Sequence, residues 1–224
     1  TLQLAAIKED GEEVLAARTV HYDKLVLSVG SVTADFGVQG VPEHCFFLDS
    51  TAQADKFHHE LLNEFLRVNQ ALEDGDEQTL DIAIVGGGAT GVELAAELVH
   101  SVSLLNIYGL THLDRQHLNV TLVEAGPRLL PALPEGLAHR VQQKLESLGI
   151  AVILGNPAVR ASREGLQLKD ETPVAANLMV WAAGIRAPEF LSKLGLETRK
   201  NHQLLVNDYL QTTTDDAVYA IGDC

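Results

Sequence analysis

An apolar run from Leu80 to Val85 passes directly into Gly86-Gly87-Gly88-Ala89-Thr90-Gly91 and then into residues spaced for a helix. No other feature of the chain restricts its fold as strongly. The hexapeptide satisfies G-x-G-x-x-G, and a strand before it with a helix after it is the context that gives the pattern meaning. Gly86 permits a tight turn. Gly88 removes the side chain that would keep backbone N–H groups from a pyrophosphate, and Gly91 lets the helix pack closely on the strand. Gly87, Ala89 and Thr90 complete the candidate loop, with the positive end of the helix dipole facing the phosphates. An ordinary strand-to-helix turn is the structural alternative.

A second expectation follows from the first. In such a unit an acid at the end of the second strand accepts hydrogen bonds from the hydroxyls of an adenosine ribose. Glu124 ends the apolar segment Val120-Thr121-Leu122-Val123 and lies 33 positions past Gly91, further than the usual spacing of about 20. Residues 101–118, read as a polar, irregular insertion, account for the excess. A carboxylate there repels a 2′-phosphate, which favours NADH over NADPH. Arg128 has two equal readings, a contact to adenine or phosphate and a surface turn.

The remaining pattern reads as α/β. Leu2 to Val20 predicts a hairpin, and Tyr22 to Ser31 a short strand ending in small residues. From Ser50, Ala54, Phe57, Leu61, Phe65, Val68 and Leu72 recur at helical spacing, with Ser50 and Gln53 as a capping box. Val92, Ala95, Ala96 and Val99 mark a second helix, and Leu137, Val141, Leu145 and Leu148 a third, stopped by Gly149. Strands are expected at 150–154 and 178–181, with an antiparallel excursion between 159 and 175. A short helix at 188–194 and strands at 204–206 and 218–223 follow. Alternating strands and helices imply a parallel sheet, with a domain boundary near residue 48.

Composition limits the partners. With 16 Lys and Arg against 31 Asp and Glu among 224 residues, the net charge of -15 repels nucleic-acid backbones. No apolar run reaches the ~20 residues of a membrane-spanning helix, and no signal peptide is visible. Cys45 and Cys224 are the only cysteines, without CxxC spacing, which argues against a disulfide framework, a zinc ribbon or a dithiol redox pair and fits a reducing cytoplasmic compartment. The nine histidines show no metal-ligand spacing; His58 and His59 point apart on a helix, and His112 and His117 lack a partner carboxylate pattern. The sequon Asn119-Val120-Thr121 opens a buried strand and is discounted. A start at Thr1 without Met reads as a piece of a longer protein.

Three strand ends share one design: Leu25 to Gly30, Met179 to Gly184 and Val218 to Asp223 each run from apolar residues into small ones. Small residues at the carboxyl ends of parallel strands admit a ring or a phosphate, although such junctions also occur for structural reasons alone. Together with GGGATGVELAAE from Gly86, VTLVEAGPRLLP from Val120, WAAGIRA from Trp181 and VYAIGDC from Val218, they resemble the two-dinucleotide flavoprotein oxidoreductases. The resemblance covers nearly the whole chain, and the branch it most resembles is type II NADH dehydrogenase.

That resemblance implies a Rossmann-like NADH-binding domain, residues 49–201, inserted between pieces of an FAD-binding domain, residues 1–48 and 202–224. It implies NADH and FAD as cofactors and a quinone as acceptor. Asp223 matches the acid that binds the FAD ribitol, with Gly222 beside it. Gly30 matches the FAD-side crossover, and Ala183 and Gly184 fall at the nucleotide-facing junction. Glu93 matches an acid near the nicotinamide and flavin rings; read from position alone, it is a carboxylate in the first turn of a helix. The first glycine motif of the family, which cradles FAD, is absent, as are its quinone and membrane-anchoring segments. A homodimer, and peripheral attachment at the cytoplasmic face of the inner membrane through those missing parts, are also expected. The rival readings are a soluble NADH-dependent reductase of the ferredoxin reductase or NADH oxidase type, an NADH-binding module without chemistry, and a plain structural domain.

Overall fold

The architecture follows from strands that are apolar on both sides. In the computed structural model, which describes residues Thr1–Cys224, the chain divides into two compact units. Residues Thr33–Gly184 form one, and Thr1–Val32 with Ile185–Cys224 form the other.

In the first unit, four parallel strands stand in the order Leu178–Trp181, Leu80–Val85, Leu118–Glu124, Ala151–Leu154. Successive side chains of a strand point to opposite faces. Ile82 and Ile84 therefore enter a core beneath the helices Thr51–Glu73, Ala89–Val102 and Glu135–Ser147. Ala83 and Val85 enter a second core with Val123, Met179 and Trp181. An antiparallel sheet of Ala158–Ser162, Gly165–Leu168 and Pro173–Ala175 covers that second face. This is the excursion expected from the sequence, and it explains why the strands are continuously hydrophobic rather than alternating.

The helices match their expected spans with three differences. Phe57, Leu61, Phe65 and Val68 are the buried stripe of Thr51–Glu73, while Ala54 is exposed. Ser50 Oγ accepts from the Gln53 N–H at 3.3 Å, but the Gln53 side chain returns to the N–H of Asp49 rather than to that of Ser50. In Ala89–Val102 the buried line is Gly91, Ala95, Leu98 and Val102, with Val92, Ala96 and Val99 on its flanks. The stripe is displaced because the glycine itself packs against the sheet.

Residues 101–118 correct the expectation of a polar insertion. Leu105, Leu113 and Leu118 are buried in the helix-side core, two 3-10 turns span Leu105–Tyr108 and Arg115–His117, and the third sheet strand already starts at Leu118. The Arg115 guanidinium donates to the carbonyls of Leu118, Leu148 and Gly149, fastening the segment to the end of the third helix. His117 also has a partner that its spacing concealed: its Nδ1 accepts from the Asp114 N–H at 3.2 Å.

The compact units divide at 32/33, earlier in the chain than the domain boundary expected near residue 48. Trp181 Nε1 donates to Ala34 O at 2.9 Å, and Phe46 bridges Val180 along the sheet edge, so residues 33–48 belong with the sheet. The second division between the units lies at 184/185, ahead of the domain end expected at 201, because Ala187 and Leu191 are fully buried beside Leu27, Leu204 and Val218.

In the second unit, Leu2–Leu4 pairs with Arg18–Val20 and Ile7–Glu9 with Glu12–Leu15, both antiparallel. Leu25–Leu27 lies parallel to Val218–Ala220. The helix expected at 188–194 is a 3-10 helix, Glu189–Lys193. Residues 204–206 form isolated bridges to Thr198 and Thr212 in place of the expected strand. No helix of the chain is long and apolar enough to cross a membrane.

Candidate functional site

The four glycines between 86 and 91 are glycines for different reasons. Gly86 has φ +118°, and a Cβ there would lie 2.6 Å from Ala182 O, so both conformation and space exclude a side chain. A Cβ on Gly91 would fall on the carbonyl oxygen of Gly86. A Cβ on Gly87 would lie 2.6 Å from Leu129 Cδ2 and 2.9 Å from Glu124. Gly88 alone has no neighbour within 4 Å of that position, and its φ of -74° suits any residue. Within the chain only its place as the helix N-cap, where glycine is preferred to alanine, favours a glycine at 88; a ligand pressed against the backbone would demand one.

Gly88 is the N-cap of the helix Ala89–Val102, and no side chain caps it. The first turn of a helix carries N–H groups without intrahelical partners. Here they lie at Ala89, Thr90 and Gly91, with Ala89 and Thr90 exposed. The helix therefore presents uncapped donors and its positive end beside an open backbone position.

Glu124 lies at the end of the adjacent strand and turns toward this bend. Its Oε2 accepts from the Gly87 N–H at 2.5 Å and its Oε1 from the Gly126 N–H at 2.6 Å. Two charge-assisted hydrogen bonds thus tie the carboxylate to the glycine loop. Leu130 N–H donates to Gly87 O at 2.8 Å, which closes the loop from the other side. Of the two readings of Arg128, the structure has the turn: its guanidinium donates to the carbonyls of Leu130, Pro131 and Leu133.

On the other flank of the glycine bend, Leu178–Trp181 runs into Ala182, Ala183 and Gly184. Gly184 has φ +67°, and its Cβ position is filled by the ring of Phe36. A cavity of about 290 Å³ opens between these strand ends, lined among others by Phe36, Gly86, Glu124, Ala125, Trp181 and Ala183. Phe36 carried no signal in the sequence, because its neighbours arrive from nearly 150 positions away. Glu93 is exposed on the helix and does not line this cavity.

The second unit assembles the other candidates. Gly30, with φ +70°, follows Leu25–Leu27, and Gly222, with φ +89°, follows Val218–Ala220. The parallel pairing brings the two ends together, and Ser31 Oγ donates to Asp223 Oδ2 at 3.1 Å. Gly222 and Asp223 are exposed.

Both cysteines are free. Burial pushes the Cys45 thiol up to about 12, far above the usual value near 8.5, so at pH 8 it stays neutral and unreactive. Iodoacetamide should leave Cys45 unmodified in the folded protein over a time that labels it fully in denaturant. Site-resolved mass spectrometry reads this, and rapid labelling in the folded state contradicts the raised pKa of this half-buried thiol.

The sequence pattern of the family described as pyridine nucleotide-disulphide oxidoreductase matches residues 4–224. The type II NADH:quinone oxidoreductase of Haemophilus influenzae is 46% identical over 96% of this chain and 52% of its own length. That of Staphylococcus saprophyticus is 30% identical over 91% of this chain and 50% of its own. This chain thus spans about half the length of these curated relatives. Among solved structures, NDH2 from Plasmodium falciparum in complex with NADH superposes with a TM-score of 0.77 at 22% identity, covering 94% of this chain and 45% of that one. Water-forming NADH oxidase from Lactobacillus brevis superposes with a TM-score of 0.63 at 22% identity, over 92% of this chain and 40% of that one. At such identities the structural likeness speaks to the fold.

Proposed function

The chain belongs to the pyridine nucleotide-disulphide oxidoreductase family, and on that premise we propose that it is the NADH-binding half of an FAD-dependent NADH:quinone oxidoreductase. One observation carries the reading. Uncapped helix N–H groups and the bare backbone of Gly88 stand beside the Glu124 carboxylate, which is the donor and acceptor set of an NADH diphosphate and ribose.

In this reading the N–H groups at Ala89 to Gly91 hold the pyrophosphate. Glu124 has lone pairs left for ribose hydroxyls after its bonds to Gly87 and Gly126, and its charge disfavours a 2′-phosphate. Ala183 and Gly184 leave room for a planar ring. Positioning and exclusion of water are the protein's contribution to hydride transfer, and no residue need act as acid or nucleophile. Glu93 is proposed to stand near the reacting rings without lining the cavity described above.

FAD fits the second unit in part. Gly30 and Gly222 bring two strand ends together in left-handed turns, and Asp223 offers an exposed carboxylate suited to the ribitol hydroxyls. When bound, FAD supplies two-electron acceptance and passage to a quinone. In the proposed assignment the FAD-binding pieces flank an NADH-binding insert. The full-length protein is proposed to be a homodimer attached peripherally at the cytoplasmic face of the inner membrane, through segments outside this chain.

The deciding experiment is steady-state NADH oxidation by the complete gene product with a water-soluble quinone, ferredoxin and oxygen compared. Preference for the quinone is the expected result. Preference for ferredoxin or oxygen assigns the protein to a soluble reductase instead. The 224-residue piece on its own is expected to bind NADH without oxidising it.

A further inference from the structure

Phe36 is a bulky residue held in a conformation that bulky residues avoid. Its φ is +52°, and 69% of it is exposed, so burial does not repay the strain of a left-handed aromatic residue. Such strain persists only where the surroundings over-determine it.

The surroundings do so here. Trp181 Nε1 donates to Ala34 O at 2.9 Å, and Ala34 N–H donates to Gly184 O at 3.2 Å. Asp35 closes the turn by accepting from the Gly37 N–H through Oδ1 and from the Val38 N–H through its carbonyl. Gln39 then bridges Arg160, and Gly40 sits so tightly on Ala161 O that a side chain is excluded. The loop is fixed at both ends, and its tip sets the Cζ edge of the Phe36 ring against the bare backbone of Gly184 while leaving most of the residue open to solvent.

The position of that tip is informative. Glu124 and Ala182–Gly184 flank the glycine bend on opposite sides, because the Leu80–Val85 strand lies between the strands that carry them. If the adenosine ribose takes Glu124 and the pyrophosphate the helix N-terminus, the other nucleoside extends over Ala183 and Gly184. An exposed aromatic ring on a fixed loop stands there.

Building on the NADH reading above, we propose that Phe36 is a positioning residue: the open side of its ring is a platform against which the nicotinamide end of the dinucleotide stacks. The contact needs no rearrangement of the loop, and an aromatic ring tolerates any planar partner. Base–aromatic stacking lost to alanine typically weakens binding by about tenfold.

The test is calorimetric titration of the full-length holoenzyme with NAD+ and, separately, with ADP-ribose, which keeps the pyrophosphate and adenosine but lacks the nicotinamide. Wild type should bind NAD+ more tightly than ADP-ribose. Phe36→Ala should lose about tenfold in NAD+ affinity with no change toward ADP-ribose, and Phe36→Trp should restore the preference. Phe36→Gly, which relieves the backbone strain, should behave as Phe36→Ala, separating ring loss from misfolding. Undiminished NAD+ binding by Phe36→Ala overturns the platform, as does equal weakening toward both ligands. Equal wild-type affinity for the two ligands also overturns it, while leaving the dinucleotide site intact. Failure of wild type to bind either ligand overturns the NADH reading itself and this inference with it.

Discussion

Gly88→Ala is expected to leave the melting temperature of the protein within about 3 °C of wild type while weakening NADH binding more than tenfold. Gly91→Ala should lose both. The two substitutions add the same methyl three residues apart, so the contrast isolates the ligand from the fold. At Gly88 the backbone is already allowed for alanine and the Cβ meets open space. Alanine is a poorer N-cap than glycine by several tenths of a kcal/mol to about 1, and the stiffer unfolded chain returns about 0.4–1 kcal/mol, so the net change is close to zero. In the proposed NADH site, however, the new methyl projects where the pyrophosphate would come within hydrogen-bonding distance of main-chain amides. At Gly91 the Cβ collides with the Gly86 carbonyl, backbone against backbone. No side-chain rotation relieves it, and such overpacking costs about 1–3 kcal/mol or more. Thermal unfolding by circular dichroism and titration with NADH read the two effects. A Gly88→Ala variant that binds NADH as tightly as wild type removes the bend from the binding site.

These contrasts show which parts of the molecule the sequence exposes. The strand, bend and helix around Gly86 are legible because all their determinants lie within about twenty consecutive residues: a buried apolar run, glycines at fixed spacing and a 3.6-residue repeat. Glu124 was reachable because it ends its own apolar strand, even with residues 101–118 intervening. That segment itself is not legible, since Leu105, Leu113 and Leu118 have no helical or strand period, and only the folded chain shows them sharing a core. The unit boundary at 32/33 was hidden for a related reason: the bond that assigns the 33–48 segment joins Trp181 to Ala34, 147 positions apart. The reason for glycine at Gly87 is subtler. It sits at a variable position of the motif, yet it must be glycine to leave room for Glu124, and its N–H is one of the two donors that orient the acid. The motif and the acid form one hydrogen-bonded unit, which a reading by separate motifs cannot show.

That coupling decides what Glu124→Arg should do. The carboxylate holds the N–H groups of Gly87 and Gly126, and each hydrogen bond to a charged group is worth about 1.5–3 kcal/mol when made, toward the lower figure at this half-buried position. Arginine has no acceptor, so both amides lose their partner and the loop loosens for every nucleotide. In the proposed site NADH would lose its ribose acceptor as well, and its affinity should fall on the order of a hundredfold. NADPH suffers the same loosening but exchanges a repulsion for a guanidinium suited to a 2′-phosphate, so its affinity should hold or rise. The ratio of kcat/KM for NADH over that for NADPH, measured on the complete protein, should therefore move by at least a hundredfold. Glu124→Gln separates the two contributions: it keeps one acceptor for the loop and removes the charge, so it should relax the preference without reversing it. If Glu124→Arg lowers both cofactors equally, the acid serves only to hold the glycine loop. The ribose must then be recognised elsewhere.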